Sequence, residues 1–139
     1  EGFEGIIDQY GSTASGNLAK AYAGICYFKM GETEKALDKL KSFSGDDNMI
    51  SPAIIGLIGD CYVNMGNIKE GISYFEKAAK SADNEVISPV YLKKAGIAYE
   101  NQKQYSDAVK AYTTIKEKYF NSMEAADIDK YIARASAAK

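Results

Sequence analysis

Histidine and tryptophan are absent from this sequence, and cysteine and proline occur only twice each. Without histidine, a Ser-His-Asp triad and any histidine-ligated metal centre are excluded. Neither sign of charge dominates: 17 basic and 19 acidic residues leave a net charge of -2. No basic field is present to collect phosphates, so nucleic acid is not expected as a partner. Long hydrophobic runs are also missing. None approaches the roughly 20 residues of a membrane span, so direct membrane insertion is not expected. The start, Glu1-Gly2-Phe3-Glu4-Gly5, has neither an initiator Met nor a signal-peptide pattern. We therefore expect a piece of a longer protein.

The scarce residues are placed with regularity. Cys26 and Cys61 lie 35 residues apart, each two positions after a glycine that recurs along the chain. Equivalent points on neighbouring helices sit about 8 to 10 Å apart, beyond the roughly 7 Å a disulfide tolerates between Cα atoms. Two free, buried thiols are expected, acting as small apolar side chains, since no CxxC motif accompanies them. Both prolines follow a serine, at Ser51-Pro52 and Ser88-Pro89. These read as matching helix starts in which Ser caps the free amides and Pro occupies the first turn.

The stretch from Ile55 to Phe75 describes two amphipathic helices hinged at Gly66-Asn67, and the rest of the chain varies it. Gly59, Tyr62, Gly66, Gly71 and Phe75 recur upstream as Gly24, Tyr27, Gly31, Ala36 and Leu40, and downstream as Gly96, Tyr99, Lys103, Ala108 and Tyr112. The chain is expected to be all-α, a stack of antiparallel helix pairs. Residues 1–10 carry Phe3, Ile6, Ile7 and Tyr10 at helical spacing and read as a second helix without its first. Gly11 to Gly16 is expected to be a turn. Residues 17–50 form one repeat, with helices from about Asn17 to Met30 and Thr33 to Phe43, and residues 51–87 and 88–121 form two more. Ser44 to Ile50 is a connection whose Asp46-Asp47-Asn48 reads as a solvated turn, since it lacks the ligand spacing of a calcium loop. A last helix, about Ser122 to Ala137 within residues 122–139, has Ala125, Ala126, Ile128, Ile132 and Ala135 on one face and is expected to cap the stack.

The spacings of 35 and 37 residues between Gly24, Gly59 and Gly96 are close to the roughly 34-residue tetratricopeptide period. The chain resembles that family. The second repeat supplies Ile55, Ile58, Gly59, Tyr62, Gly71 and Phe75. The third supplies Leu92, Ala95, Gly96, Tyr99, Ala108 and Tyr112, and the first Ala23, Gly24, Tyr27, Ala36 and Leu40. Departures are Lys20 in place of a bulky apolar residue, Gly71 in place of Ala, and no Pro closing a repeat. The resemblance implies a right-handed α-solenoid of about three repeats. The run from Phe3 to Ala14, echoed at Tyr112 to Ala126, looks like linkers of bacterial envelope members of the family. That likeness implies a periplasmic domain tethered by an N-terminal segment, with a cytoplasmic location as the alternative.

No catalytic constellation emerges. Asp127 with Asp129, or Asp46 with Asp47, would be acid pairs only on a surface where water keeps them ordinary. The glycines sit within helices and form no phosphate cradle. No enzyme activity, cofactor or metal is expected. The resemblance implies instead a groove lined by the first helix of each repeat. Its positions here are Leu18, Ala21, Ile25, Phe28 and Lys29; Ala53, Gly56, Asp60, Val63 and Asn64; and Val90, Lys93, Ile97, Glu100 and Asn101. Apolar residues would anchor a peptide or protein segment, the four charged residues would cancel, and Asn64 and Asn101 would bond its backbone. Ile25, Asp60 and Ile97 on the innermost row argue against the carboxylate clamp of some eukaryotic relatives. For each lining residue the competing reading is packing against a neighbouring helix. The alternative function is a self-associating assembly module that buries Phe3, Ile6 or Ile7 between copies.

Overall fold

The computed structural model describes residues 2–10, 14–43 and 50–138. They form α1 (Gly2–Tyr10), α2 (Ala14–Lys29), α3 (Thr33–Ser42), α4 (Ile50–Asn64), α5 (Ile68–Ala82), α6 (Ser88–Asn101) and α7 (Tyr105–Lys118). A 3-10 turn (Glu124–Asp127) and α8 (Ile128–Ala137) follow, and no strand occurs among the described residues. Each helix packs chiefly on its neighbours in sequence. The result is an all-α helical-repeat solenoid of three pairs, α2/α3, α4/α5 and α6/α7, with α1 before them and α8 after them.

All three pairs are hinged by the same turn. The amides of Glu32, Asn67 and Gln104 donate to the carbonyls of Tyr27, Tyr62 and Tyr99 at 2.9, 2.8 and 2.9 Å, the long-range bond of a Schellman ending. That ending requires a left-handed residue just before the donor. Gly31 (φ 80°) and Gly66 (φ 84°) supply it without steric cost, whereas Lys103 (φ 59°) occupies it in the third pair at a cost of about 1 kcal/mol.

Within each pair the repeat glycine lets a large second-helix side chain lie directly on the first helix. A Cβ at Gly24 would meet Leu40 at 2.6 Å, one at Gly59 the Phe75 ring at 2.7 Å, and one at Gly96 the Tyr112 ring at 2.3 Å. Leu40, Phe75 and Tyr112 are buried in consequence. Ile54, Ile58 and Cys61 extend the first of these contacts, Ile72 and Ala95 the second, and Ile115 and Ile128 the third. Each of the Leu, Ile and Phe side chains contributes about 1.5–3 kcal/mol on leaving water.

Local expectations fail where a neighbouring element takes over a polar group. Ser88 does not cap α6. Its hydroxyl, fully buried, donates to the Ala79 carbonyl at 2.6 Å and so ties α6 to the end of α5. α6 has no side-chain cap; Asn84 orders the turn before it, its Oδ1 accepting from the amides of Val86 and Ile87 at 2.9 and 2.8 Å. Ser51 lies inside α4, which begins at Ile50. Pro89 does stand in the first turn of α6, and Pro52 and Pro89 are both fully buried.

Of the turn expected at Gly11 to Gly16, residues 11–13 lie outside the described residues, and Ala14, Ser15 and Gly16 already belong to α2. Asp46-Asp47-Asn48 and the side chains of Phe3 and Tyr10 also lie outside them. The single helix expected from Ser122 to Ala137 is broken. Buried Ser122 accepts the Ala125 amide at 3.2 Å and donates to the Tyr119 carbonyl at 2.6 Å, which winds the start into a 3-10 turn and leaves Ala126 exposed.

The two cysteines are free, but only Cys61 is buried. It faces Ala21, Ala36 and Leu40 of the preceding pair. Burial, with Asp60 nearby as the smaller cause, pushes its thiol up to about 11. Cys26 is exposed, contrary to expectation.

Candidate functional site

The first helices α2, α4 and α6 present the face anticipated as a groove, and packing divides its residues into two groups. Apolar and amide positions remain available. Leu18 is 40% exposed and Ile97 is 39% exposed, while Lys29, Asn64 and Asn101 are exposed. Ile25, Phe28, Val63 and Val90 are half-buried. Ile25 and Phe28 rest on the Ala21–Leu40 cluster, and Val63 packs against the cluster around Phe75.

Three of the four charged positions, Asp60, Lys93 and Glu100, are engaged by the elements that follow. Lys94 donates to both carboxylate oxygens of Asp60 at 2.9 and 3.0 Å, joining α6 to α4. Arg134 donates from Nε and Nη2 to the two oxygens of Glu100 at 3.0 and 2.6 Å, joining α8 to α6. Glu100, 13% exposed, also accepts from the hydroxyl of buried Tyr112. The Arg134 hydrogen bonds, with Tyr112 adding to them, hold its carboxyl below the usual range despite burial. Lys93 stands 4.0 Å from Asp127 and 4.5 Å from the centre of the Tyr131 ring. Two further positions are roofed over: Tyr91 lies on Gly56, where a Cβ would come within 2.1 Å of the ring. Its hydroxyl donates to the Ala53 carbonyl at 3.4 Å.

Asp60, Lys93 and Glu100 therefore brace the face rather than project from it. The bracing residues Tyr91, Lys94, Tyr131 and Arg134 had not been singled out from the sequence. A signal for them exists, since Tyr-x-x-Lys at 91–94 and Tyr-x-x-Arg at 131–134 share one spacing. The contacts match as well. The Tyr91 ring stacks on Phe75 at 6.1 Å, and Tyr131 leans on Tyr112, the equivalent of Phe75, at 5.5 Å.

Among the described residues no group of three or more Cys, Asp or Glu is placed to hold a metal ion, and none of the helices is long and apolar enough to cross a membrane. What the face offers is shape, apolar contact and amide hydrogen bonding on braced helices.

Two tetratricopeptide repeat models match the chain, one at residues 53–85 and the other at residues 19–45 and 91–122. The three matched segments coincide with the pairs α4/α5, α2/α3 and α6/α7 and together cover most of the chain. No curated protein matches it.

Proposed function

Because the chain belongs to the tetratricopeptide repeat family, whose repeats generally mediate contacts between proteins, we propose that it is a non-catalytic scaffold holding a peptide or protein segment on its first-helix face. The observation that carries this reading is the division of that face. Ion pairs join α4 to α6 and α6 to α8 while Leu18, Ile97, Asn64 and Asn101 stay open to solvent. A face already rigid loses little freedom on binding, so its exposed apolar residues contribute more of their contact energy to affinity. A segment laid along it would set apolar side chains on Leu18 and Ile97 and bond its backbone to the two amides.

A crosslinking capture from the native source, comparing wild type with Leu18→Glu/Ile97→Glu, tests the idea. Both residues are exposed, so the variant keeps its fold. Loss of a dominant partner, with affinity down at least about tenfold, is the expected result, and undiminished capture would remove the groove from consideration.

Exposed Ile6 on α1 favours a second reading, self-association through that helix as part of an assembly. A concentration-independent monomer in sedimentation velocity would count against it. The linker-like run from Phe3 to Ala14 supports a place in a bacterial envelope for either role.

A further inference from the structure

The solenoid repeats a cleft as well as a helix pair, and one copy of that cleft differs in sign from the others. Each cleft lies between successive second helices, beside the tyrosine three positions after the repeat glycine. In the first, Tyr27 donates to Glu4, which is also paired with Lys39 at 2.8 Å. In the third, Tyr99 donates to Glu76 at 2.9 Å, and Asp107 stands in the same cleft. In the middle cleft the acid is replaced by a cation: Lys41 donates to the Tyr62 hydroxyl at 3.2 Å.

This middle cleft, about 380 Å³ in volume, is bounded by α3 and α5 with α4 as its floor. Leu40, Phe43, Ile58 and Tyr74 make its wall apolar, Lys41 and Lys77 stand at its rim, and among the described residues no carboxylate lines it. Each of the two ammonium groups lies over an aromatic face. Lys41 lies 5.8 Å from the centre of the Tyr62 ring and Lys77 5.8 Å from that of Tyr74, and the two rings stack on each other at 5.4 Å. Cations placed on rings keep their full charge available to an incoming anion.

We propose that this cleft is a docking surface for an acidic segment of a partner protein, in which a bulky apolar side chain enters the cleft and flanking carboxylates meet Lys41 and Lys77. Its volume suits one or two large side chains. Two cations over an apolar floor match a short acidic-apolar peptide, whereas a nucleic acid needs a longer basic track. None of the exposed first-helix residues lines it, so this surface is separate from the face proposed above.

The test uses calorimetry and amide chemical-shift mapping with three synthetic peptides. One has a central Leu-Phe pair flanked by Asp and Glu, one has the same pair flanked by Lys, and one has Ala-Ala between the acidic flanks. The expected result is saturable binding of the first alone, with shifts confined to α3, α4 and α5. Lys41→Glu/Lys77→Glu should weaken it at least about tenfold. Lys110→Glu, an exposed reversal on α7, should leave it unchanged. Failure of the first peptide to bind wild type, equal binding of either other peptide, or indifference to the double reversal would overturn the proposal. Leu18→Glu/Ile97→Glu should have no effect here, which separates this outcome from that of the groove test.

Discussion

Gly59 and Gly71 face each other where α4 meets α5, and the approach is close enough that a Cβ added at either would stand 3.0 Å from the other's carbonyl oxygen. The equivalents of Gly71 in the other pairs are Ala36 and Ala108, both fully buried. The difference lies in the partner helix: Val63 puts a branched methyl group 2.5 Å from the missing Cβ of Gly71. Alanine favours a helix by about 1 kcal/mol over glycine, but overpacking costs about 1–3 kcal/mol. Gly71→Ala is therefore expected to destabilise the protein by about 1 kcal/mol despite moving it toward the family pattern, read as a lower urea midpoint at unchanged slope. The cysteines give a second prediction at this scale. With Cys61 buried and its thiol at about 11, Ellman's reagent at neutral pH should label one thiol per native chain. Cys26→Ser should abolish that signal, and denaturant should release the second thiol.

Among the helices, α8 follows the last pair as the expected cap, and it reuses contacts of the repeats. It lies on α6 and α7 with Tyr131 on Tyr112 and Arg134 on Glu100, as α6 lies on α4 and α5 with Tyr91 on Phe75 and Lys94 on Asp60. Its attachment should respond to acid. Glu100 is held below its ordinary value of 4.5, first by Arg134 and then by Tyr112. A carboxyl with a depressed folded-state value contributes stability that is present above its unfolded value and lost as pH falls through the folded one. Glu100→Gln keeps an acceptor for the buried Tyr112 hydroxyl but removes the charge. Wild type should therefore melt higher than the variant near pH 6, and the gap should close toward pH 3, each pH being approximate. A gap independent of pH would show that the charge on Glu100 does not secure α8. Glu100→Ala should be worse than Gln at every pH, because the Tyr112 hydroxyl would lose its acceptor, at about 1–3 kcal/mol.

Over the whole molecule, packing runs from neighbour to neighbour, so stability is a sum of local pair and interface contributions rather than the property of one nucleus. Gly24→Ala, which forces a Cβ onto Leu40 at 2.6 Å, should lower amide-exchange protection most in α2 and α3, less in α4 and α5, and least in α7 and α8. A uniform drop across all helices would indicate a single cooperative unit instead. The open first-helix face and the basic middle cleft belong to this scale too, because each is assembled from three helices and neither exists in a single pair.

Sequence alone determined the three helix pairs, their hinges and their inward residues. Helical periodicity and turn chemistry act within a few residues of each other, so Gly31, Gly66, Leu40, Phe75 and Tyr112 carry their structural meaning locally. Tertiary structure decided what depends on the element placed alongside. It assigned Asp60 to Lys94 and Glu100 to Arg134, each pair 34 residues apart, and with Lys93 set against Asp127 and Tyr131 it turned three anticipated groove residues into braces. It left Cys26 exposed where its equivalent Cys61 is buried, and it drew Ser88 away from its cap to the Ala79 carbonyl. The physical reason is common to these cases. A side chain's bonding is set by whichever group the helix register brings within about 3 Å, and that register comes from the packing of glycines and rings between helices, not from the residues adjacent in the chain.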